Sequence, residues 1–179
     1  MLRNKVVIAG VGDSDIGKVP HLSGVGLNAQ AAKRALDDAG LGLKDVDGLL
    51  TAYSMTEPYF MLGSVLAEYL GIYPTYCASM TVGGATPGAA LHHAAMAIAT
   101  GQASVVLVTA GENRATGQTR DAAVQALTQV GHPYFENPYG PLIPSFYAMI
   151  AERYMHEYGV TSDAFRAIAM ASYAHAQNN

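Results

Sequence analysis

Short apolar runs rich in β-branched residues alternate along this chain with helix-length stripes, and most stripes end at a glycine. Val6-Val-Ile-Ala9 stops at Gly10 and reads as a buried strand. After a glycine-rich loop, Leu27, Ala31, Ala35 and Ala39 recur at helical spacing, and Gly40 ends that helix. Asp45 to Leu50 brings in a second strand. Tyr59 to Leu70 is helical and stops at Gly71. Pro74 to Ser79 is a third strand. Ala85 to Thr100 forms an alanine-rich helix that is apolar nearly all round, so burial on most sides is expected. Ser104-Val-Val-Leu-Val-Thr109 carries the clearest strand signal. Strands alternating with helices imply right-handed βαβ units: an α/β fold with a mixed, mainly parallel sheet flanked by helices.

The pattern changes at Glu112. Residues 113–144 hold four prolines and many polar residues without a clear period, which predicts an irregular cap or loop. A helix starts near Pro144 and ends at Gly159. Thr161-Ser-Asp163 then introduces a helix running to about Ala176. The expected organisation is an α/β core over residues 1–112, an irregular cap over 113–146, and helices over 147–179.

Composition narrows the function classes. The net charge is -4 and no basic run exceeds two residues, which argues against nucleic acid and acidic membrane surfaces. Cys77 is the single cysteine, so no internal disulfide forms, in keeping with a reducing cytoplasm. No apolar run reaches membrane-spanning length, and the opening apolar residues are too few for a signal segment. A cytoplasmic location is expected. Half of the residues are hydrophobic and only 13% are charged, which suggests that some surface is covered by further chain or by a partner.

One motif points to chemistry. Gly83-Gly-Ala-Thr-Pro-Gly-Ala-Ala-Leu91 leads from a strand into the alanine-rich helix. Glycines let the backbone turn tightly and approach a ligand, and Pro87 suits a first helical turn. Free N–H groups there form an anion or oxyanion site, although the same motif also serves as a plain strand-to-helix turn.

Around this motif the chain resembles the thiolases, most closely the sterol-carrier-protein type and its thiolase-like relatives. Lys5-Val-Val-Ile-Ala-Gly-Val-Gly12 is similar to their first strand and turn. Ala94-Ala-Met-Ala-Ile-Ala-Thr-Gly101 and Val105-Val-Leu-Val-Thr-Ala-Gly-Glu112 are similar to their buried helix, glycine stop, strand and Gly-Glu turn. Tyr147 to Gly159 and Ala174 to Asn179 resemble the exit of the loop domain. The resemblance implies a catalytic cysteine in a Cys-(Ala/Ser)-(Thr/Ser)-Gly motif at the start of the buried helix. Counting back from Gly101 puts that position at Gly84, with Ala85 and Thr86 matching and Pro87 in place of the family's glycine. Glycine has no side chain to acylate, but its N–H can still face a thioester oxygen.

Cys77 offers an alternative nucleophile within Tyr76-Cys-Ala-Ser79, yet it lies seven residues upstream in a strand, where a small buried apolar role is expected. Gly83, Ala85, Thr86, His92 and Tyr147 are candidate substrate contacts. His92 and His93 are adjacent on one helix and cannot share a face, so a hydrogen-bonded core histidine is the plainer reading. Gly24-Val-Gly-Leu-Asn-Ala29 fits a dinucleotide pattern but follows a Pro-His-Ser loop rather than a strand. Glu152 and His156 are spaced as a surface pair, and no metal site is expected. Gly131-His-Pro133 echoes a catalytic motif of the family's C-terminal half but falls in the loop region.

The resemblance implies an acyltransferase acting on acyl-CoA thioesters, with coenzyme A entering as part of the substrate and no covalently bound cofactor. It also implies that 179 residues correspond to one half of a two-part fold, the half alone being inactive. A glycine at the nucleophile position favours carbon–carbon bond chemistry without an acyl-cysteine, such as retro-aldol cleavage of a 3-hydroxyacyl-CoA. The alternatives are a non-catalytic acyl-CoA or lipid-binding subunit and a thiolase using Cys77. Expected partners are acyl-CoA, a second copy in a homodimer, and a small OB-fold and zinc-ribbon protein of the kind that works with steroid side-chain aldolases of this family.

Overall fold

Gly48–Ala52 (β1), Tyr76–Met80 (β2) and Val106–Thr109 (β3) lie side by side in the order β2-β1-β3, all parallel. The coordinates are a computed structural model that describes residues 2–128, 130–140 and 142–178. Two compact units form, Met1–Gln118 and Thr119–Asn179. The sheet belongs to the first.

Register explains the layers. Leu49 of β1 stands opposite Cys77 and Leu107, whereas Leu50 stands opposite Ala78 and Val108. Side chains alternate across a sheet, so these two rows point to opposite faces. The Leu49 and Leu107 face packs on Val25, Ala32 and Leu36 of α1 (Gly24–Ala39) and on Leu62 and Leu66 of α2 (Leu62–Leu70). The Leu50 face, with Ala78 and Val108, packs on Ala90 and Ala94 of α3 (Thr86–Ala99). Helix, sheet and helix thus stack in three layers, as the alternating pattern predicts.

Asp47 ties the N-terminal ends of the strands together. Its carboxylate accepts the amides of Ser104 and Val105 at 2.8–2.9 Å, and its carbonyl accepts Thr75 N at 2.9 Å. Burial pushes the Asp47 carboxyl up, but the amides of Val105 and Ser104 outweigh it and hold the group below its ordinary value.

Two expectations need correction. Residues 6–9 are not a strand. They belong to an extended segment running along α1: a Cβ on Gly12 would come 2.4 Å from Ala35 N, and Val11 N donates to Asp38 Oδ2 at 3.0 Å. A groove of about 1300 Å³ opens between this segment and β3. Val7 and Ile8 therefore have no strand beside them among the described residues, and they stay 86% and 71% exposed. Second, α3 is not buried on most sides. Only Thr86, Ala90, Ala94 and Ala97 are buried, a single stripe facing the sheet, and Leu91 is exposed.

Helix ends follow local chemistry. Helix α1 starts at Gly24, three residues earlier than the apolar stripe suggests, because Ser23 Oγ accepts Gly26 N at 3.0 Å. It stops at Gly40, which sits in the left-handed region at φ 68°. The expected cap region holds the short helices α4 (Arg114–Gly117) and α5 (Arg120–Thr128) and a 3-10 turn at Asn137–Tyr139. In the second unit α6 (Ile143–Tyr158) and α7 (Ser162–Ala176) meet through Tyr154, whose ring lies 6.3 Å from that of Phe165. No helix among the described residues is long and apolar enough to cross a membrane.

Candidate active site

The loops leaving the C-terminal ends of parallel strands form the natural crevice of an α/β sheet. Here they are residues 53–61 after β1, 81–85 after β2 and 110–113 after β3. Two of these loops are locked together. Glu112 Oε1 accepts the amides of Met55 and Thr56, and its other oxygen lies 3.7 Å from Arg114 Nε. Asn113, 8% exposed, donates to the carbonyls of Val19 at 3.0 Å and Leu22 at 2.5 Å. Asn28, buried inside α1, donates to Gly24 O at 2.9 Å and Gly111 O at 3.1 Å. Residues 111–113 are thereby fixed to both the first loop and α1.

The third loop is the turn into α3. Gly83 adopts φ 60°, a left-handed conformation that glycine takes without steric penalty. Its carbonyl accepts Thr86 N at 3.1 Å and the Thr86 hydroxyl at 2.7 Å. The same hydroxyl accepts Val82 N at 2.9 Å. Pro87 occupies the first helical turn, and Ala85 at the cap position has no side chain able to satisfy the helix N-terminus. The amides of Ala85 and Gly88 reach no acceptor among the described residues. A Cβ placed on Gly83, Gly84 or Gly88 would meet nothing within 4 Å. The turn thus offers open backbone in front of Gly84 and donors at a helix N-terminus, an arrangement suited to a carbonyl oxygen that gains negative charge.

Cys77 stands elsewhere. Its side chain points to the α1 and α2 face of the sheet, where Sγ lies 3.2 Å from the Cβ position of Gly63, while α3 covers the opposite face. It is exposed on the edge strand rather than buried, since no strand among the described residues pairs with the outer side of β2. Partial burial pushes its thiol up, away from the reactive thiolate.

The histidines are not core groups. His92 is exposed and lines the groove between β3 and residues 4–13, and His93 is only partly buried. Neither side chain makes a hydrogen bond among the described residues, because none of them covers the outer side of α3. Tyr147 lies exposed on α6 in the second unit. Glu152 and His156 line a shallow pocket there, and no group of three or more His, Cys, Asp or Glu side chains among the described residues could hold a metal. His132 sits in a turn, with its ring 4.8 Å from that of Phe135.

The dinucleotide-like motif is closed to phosphate. Glu57 Oε1 accepts Gly24 N at 2.8 Å and Oε2 accepts Val25 N at 3.4 Å, so a carboxylate already occupies the N-terminus of α1. Sequence reasoning missed Glu57, Asn28 and Asn113. An asparagine inside the α1 apolar stripe was the one available signal.

Comparison with known proteins agrees with this architecture. The family described as thiolase, N-terminal domain, matches residues 6–179. A 17-hydroxy-3-oxo-4-pregnene-20-carboxyl-CoA lyase from Mycobacterium tuberculosis is 38% identical over all of this chain and 47% of its own length. The chain spans about half the length of the curated relatives it matches. A solved Ltp2-ChsH2(DUF35) aldolase superposes with a TM-score of 0.66 at 34% identity, over 88% of this chain and 40% of that one. An acetyl-CoA acetyltransferase from Syntrophomonas wolfei, 19% identical, superposes with a TM-score of 0.69 over 96% of this chain and 46% of its own, and shows the shared fold. The chain belongs to the thiolase family and carries its N-terminal domain.

Proposed function

We propose that this protein cleaves a carbon–carbon bond in a 3-hydroxyacyl-CoA by a retro-aldol reaction, without an acyl-enzyme. The observation that carries the reading is Gly84: open backbone, no side chain, and donors at the start of α3 where a thioester carbonyl can be received. The 38% identical lyase and the 34% identical aldolase support the same chemistry.

The reaction needs no thiol. A base removes the proton of the 3-hydroxyl, the C2–C3 bond breaks, and its electron pair moves into the thioester as an enolate. N–H groups of the turn, Gly84 N–H among them, stabilise that oxygen. Protonation at C2 gives the shortened acyl-CoA, and C3 leaves as a carbonyl compound. Gly83 and Ala85 shape the approach to the thioester. We place the base outside residues 1–179, in the other half of the two-part fold. Tyr147 and His92 are candidate contacts for the acyl chain or the coenzyme. A homodimer and a second protein of the kind named in the solved aldolase are the proposed assembly, in the cytoplasm.

The test is intact mass and product analysis of the full-length protein with a panel of acyl-CoAs, alone and with such a partner. Product without a protein adduct supports the reading. An acyl adduct on Cys77 would replace it with ordinary thiolysis. Binding with neither would leave a non-catalytic acyl-CoA-binding subunit.

A further inference from the structure

We infer that Thr86 is a positioning residue, which sets the direction of the backbone around Gly84 through a hydroxyl that never meets the ligand. The inference rests on the thioester reading of the turn. Thr86 is only 1% exposed, so no substrate atom reaches its side chain. Its hydroxyl instead spans the turn, accepting Val82 N at 2.9 Å beyond the end of β2 and donating to Gly83 O at 2.7 Å.

Two adjacent glycines give the turn more backbone freedom than any other pair. An oxyanion donor must nevertheless sit within a few tenths of an ångström of its working position. Something has to remove that freedom. Gly83 O is held twice by Thr86, through the amide and through the hydroxyl, and Val82 N is held once. Branching at Cβ restricts the χ1 of threonine, so the hydroxyl is itself held in place.

Precision and stability separate at this position. Val82 is 56% exposed, so water can replace the hydroxyl on its amide when the hydroxyl is removed. The fold then loses little, while the turn loses its fixed direction.

In the full-length protein Thr86→Val keeps the shape and removes the hydroxyl, and Thr86→Ser keeps the hydroxyl. The expected result for Thr86→Val is a kcat lower by about 10- to 100-fold, with KM for the acyl-CoA within about threefold. Thr86→Ser should stay within about threefold of the parent in both. A loss in KM rather than kcat would make Thr86 a substrate contact, and equal losses in both variants would make it a packing residue. Either result overturns the inference. Amide hydrogen exchange gives a readout that needs no turnover. Exchange of the Val82 amide, which the hydroxyl holds, and of the Thr86 amide on Gly83 O should accelerate in Thr86→Val but not in Thr86→Ser, with residues 90–99 unchanged. If the parent cleaves no 3-hydroxyacyl-CoA, the proposed reaction fails, and exchange alone decides on the turn. Unchanged exchange in Thr86→Val would refute the positioning role.

Discussion

Alanine at Gly84 should stabilise the protein, whereas alanine one residue earlier should weaken it. At both positions a new Cβ meets nothing within 4 Å, so packing does not distinguish them. Backbone conformation does. Gly84 is outside the left-handed region, while Gly83 has φ 60°. Replacing a glycine that already has an ordinary conformation restricts the unfolded chain and stabilises by about 0.4–1 kcal/mol. At Gly83 the same gain is set against about 1–2 kcal/mol for holding alanine left-handed, a net loss of about 1 kcal/mol. Gly12→Ala supplies the opposite control: its Cβ would come 2.4 Å from Ala35 N, so the segment on α1 must shift, at about 1–3 kcal/mol. Denaturant unfolding of the full-length protein reads all three as changes in midpoint at constant slope. Gly84→Ala should also slow turnover, because its methyl group enters the space assigned to the thioester. A destabilised Gly84→Ala protein, or one with undiminished turnover, would refute the reasoning.

Three further outcomes follow from the same coordinates. Asp47→Asn should cost about 0.5–1 kcal/mol at pH 7, because it removes the charge from a partly exposed acceptor shared by Ser104 N and Val105 N. The folded Asp47 carboxyl is held below its ordinary value, so this stabilisation is present above about pH 4 and is lost as pH falls through the folded value; unfolding at pH 7 and pH 3 should show the deficit shrinking. Glu112→Ala should lose about 1–3 kcal/mol in thermal or chemical unfolding by leaving the Met55 and Thr56 amides without their acceptor. Alkylation of Cys77, followed by mass, should be slow at neutral pH and leave turnover intact, because the thiol is pushed up and faces away from α3.

Much of the fold was legible because burial writes a period into sequence. β3 and the stop of α1 at Gly40 follow from runs and glycines, and the three layers follow from the alternation of Leu49 with Leu50. Residues 6–9 misled for the same reason. Their apolar run says that they favour burial, but a run cannot say which neighbour provides it, and none of the described residues pairs with them as a strand. Helix α3 carries apolar residues nearly all round, yet only the stripe through Ala90 and Ala94 is covered. Cys77 likewise could be placed in a strand, but its face and the edge position of that strand come from register and sheet order. At the turn, Gly84 could be aligned by counting. The Thr86 hydroxyl bonds and the Glu57 cap could not, because they depend on contacts between loops with no periodic signature.

The three helices packed on the sheet treat their N-termini differently, and this bears on where chemistry can occur. Helix α1 is closed by Ser23 and the Glu57 carboxylate. At α2, Gly63 N donates to Ser79 Oγ at 2.7 Å. Helix α3 has alanine at its cap, proline in its first turn and a hydroxyl spent on the preceding loop. In α1 and α2 side chains satisfy first-turn donors, as stability alone would favour. In α3 no side chain among the described residues does so, and glycines keep the space in front of it clear. Leaving the donors of α3 open makes physical sense if a ligand supplies the missing acceptor, and an enolate oxygen on a thioester is an acceptor of the right charge.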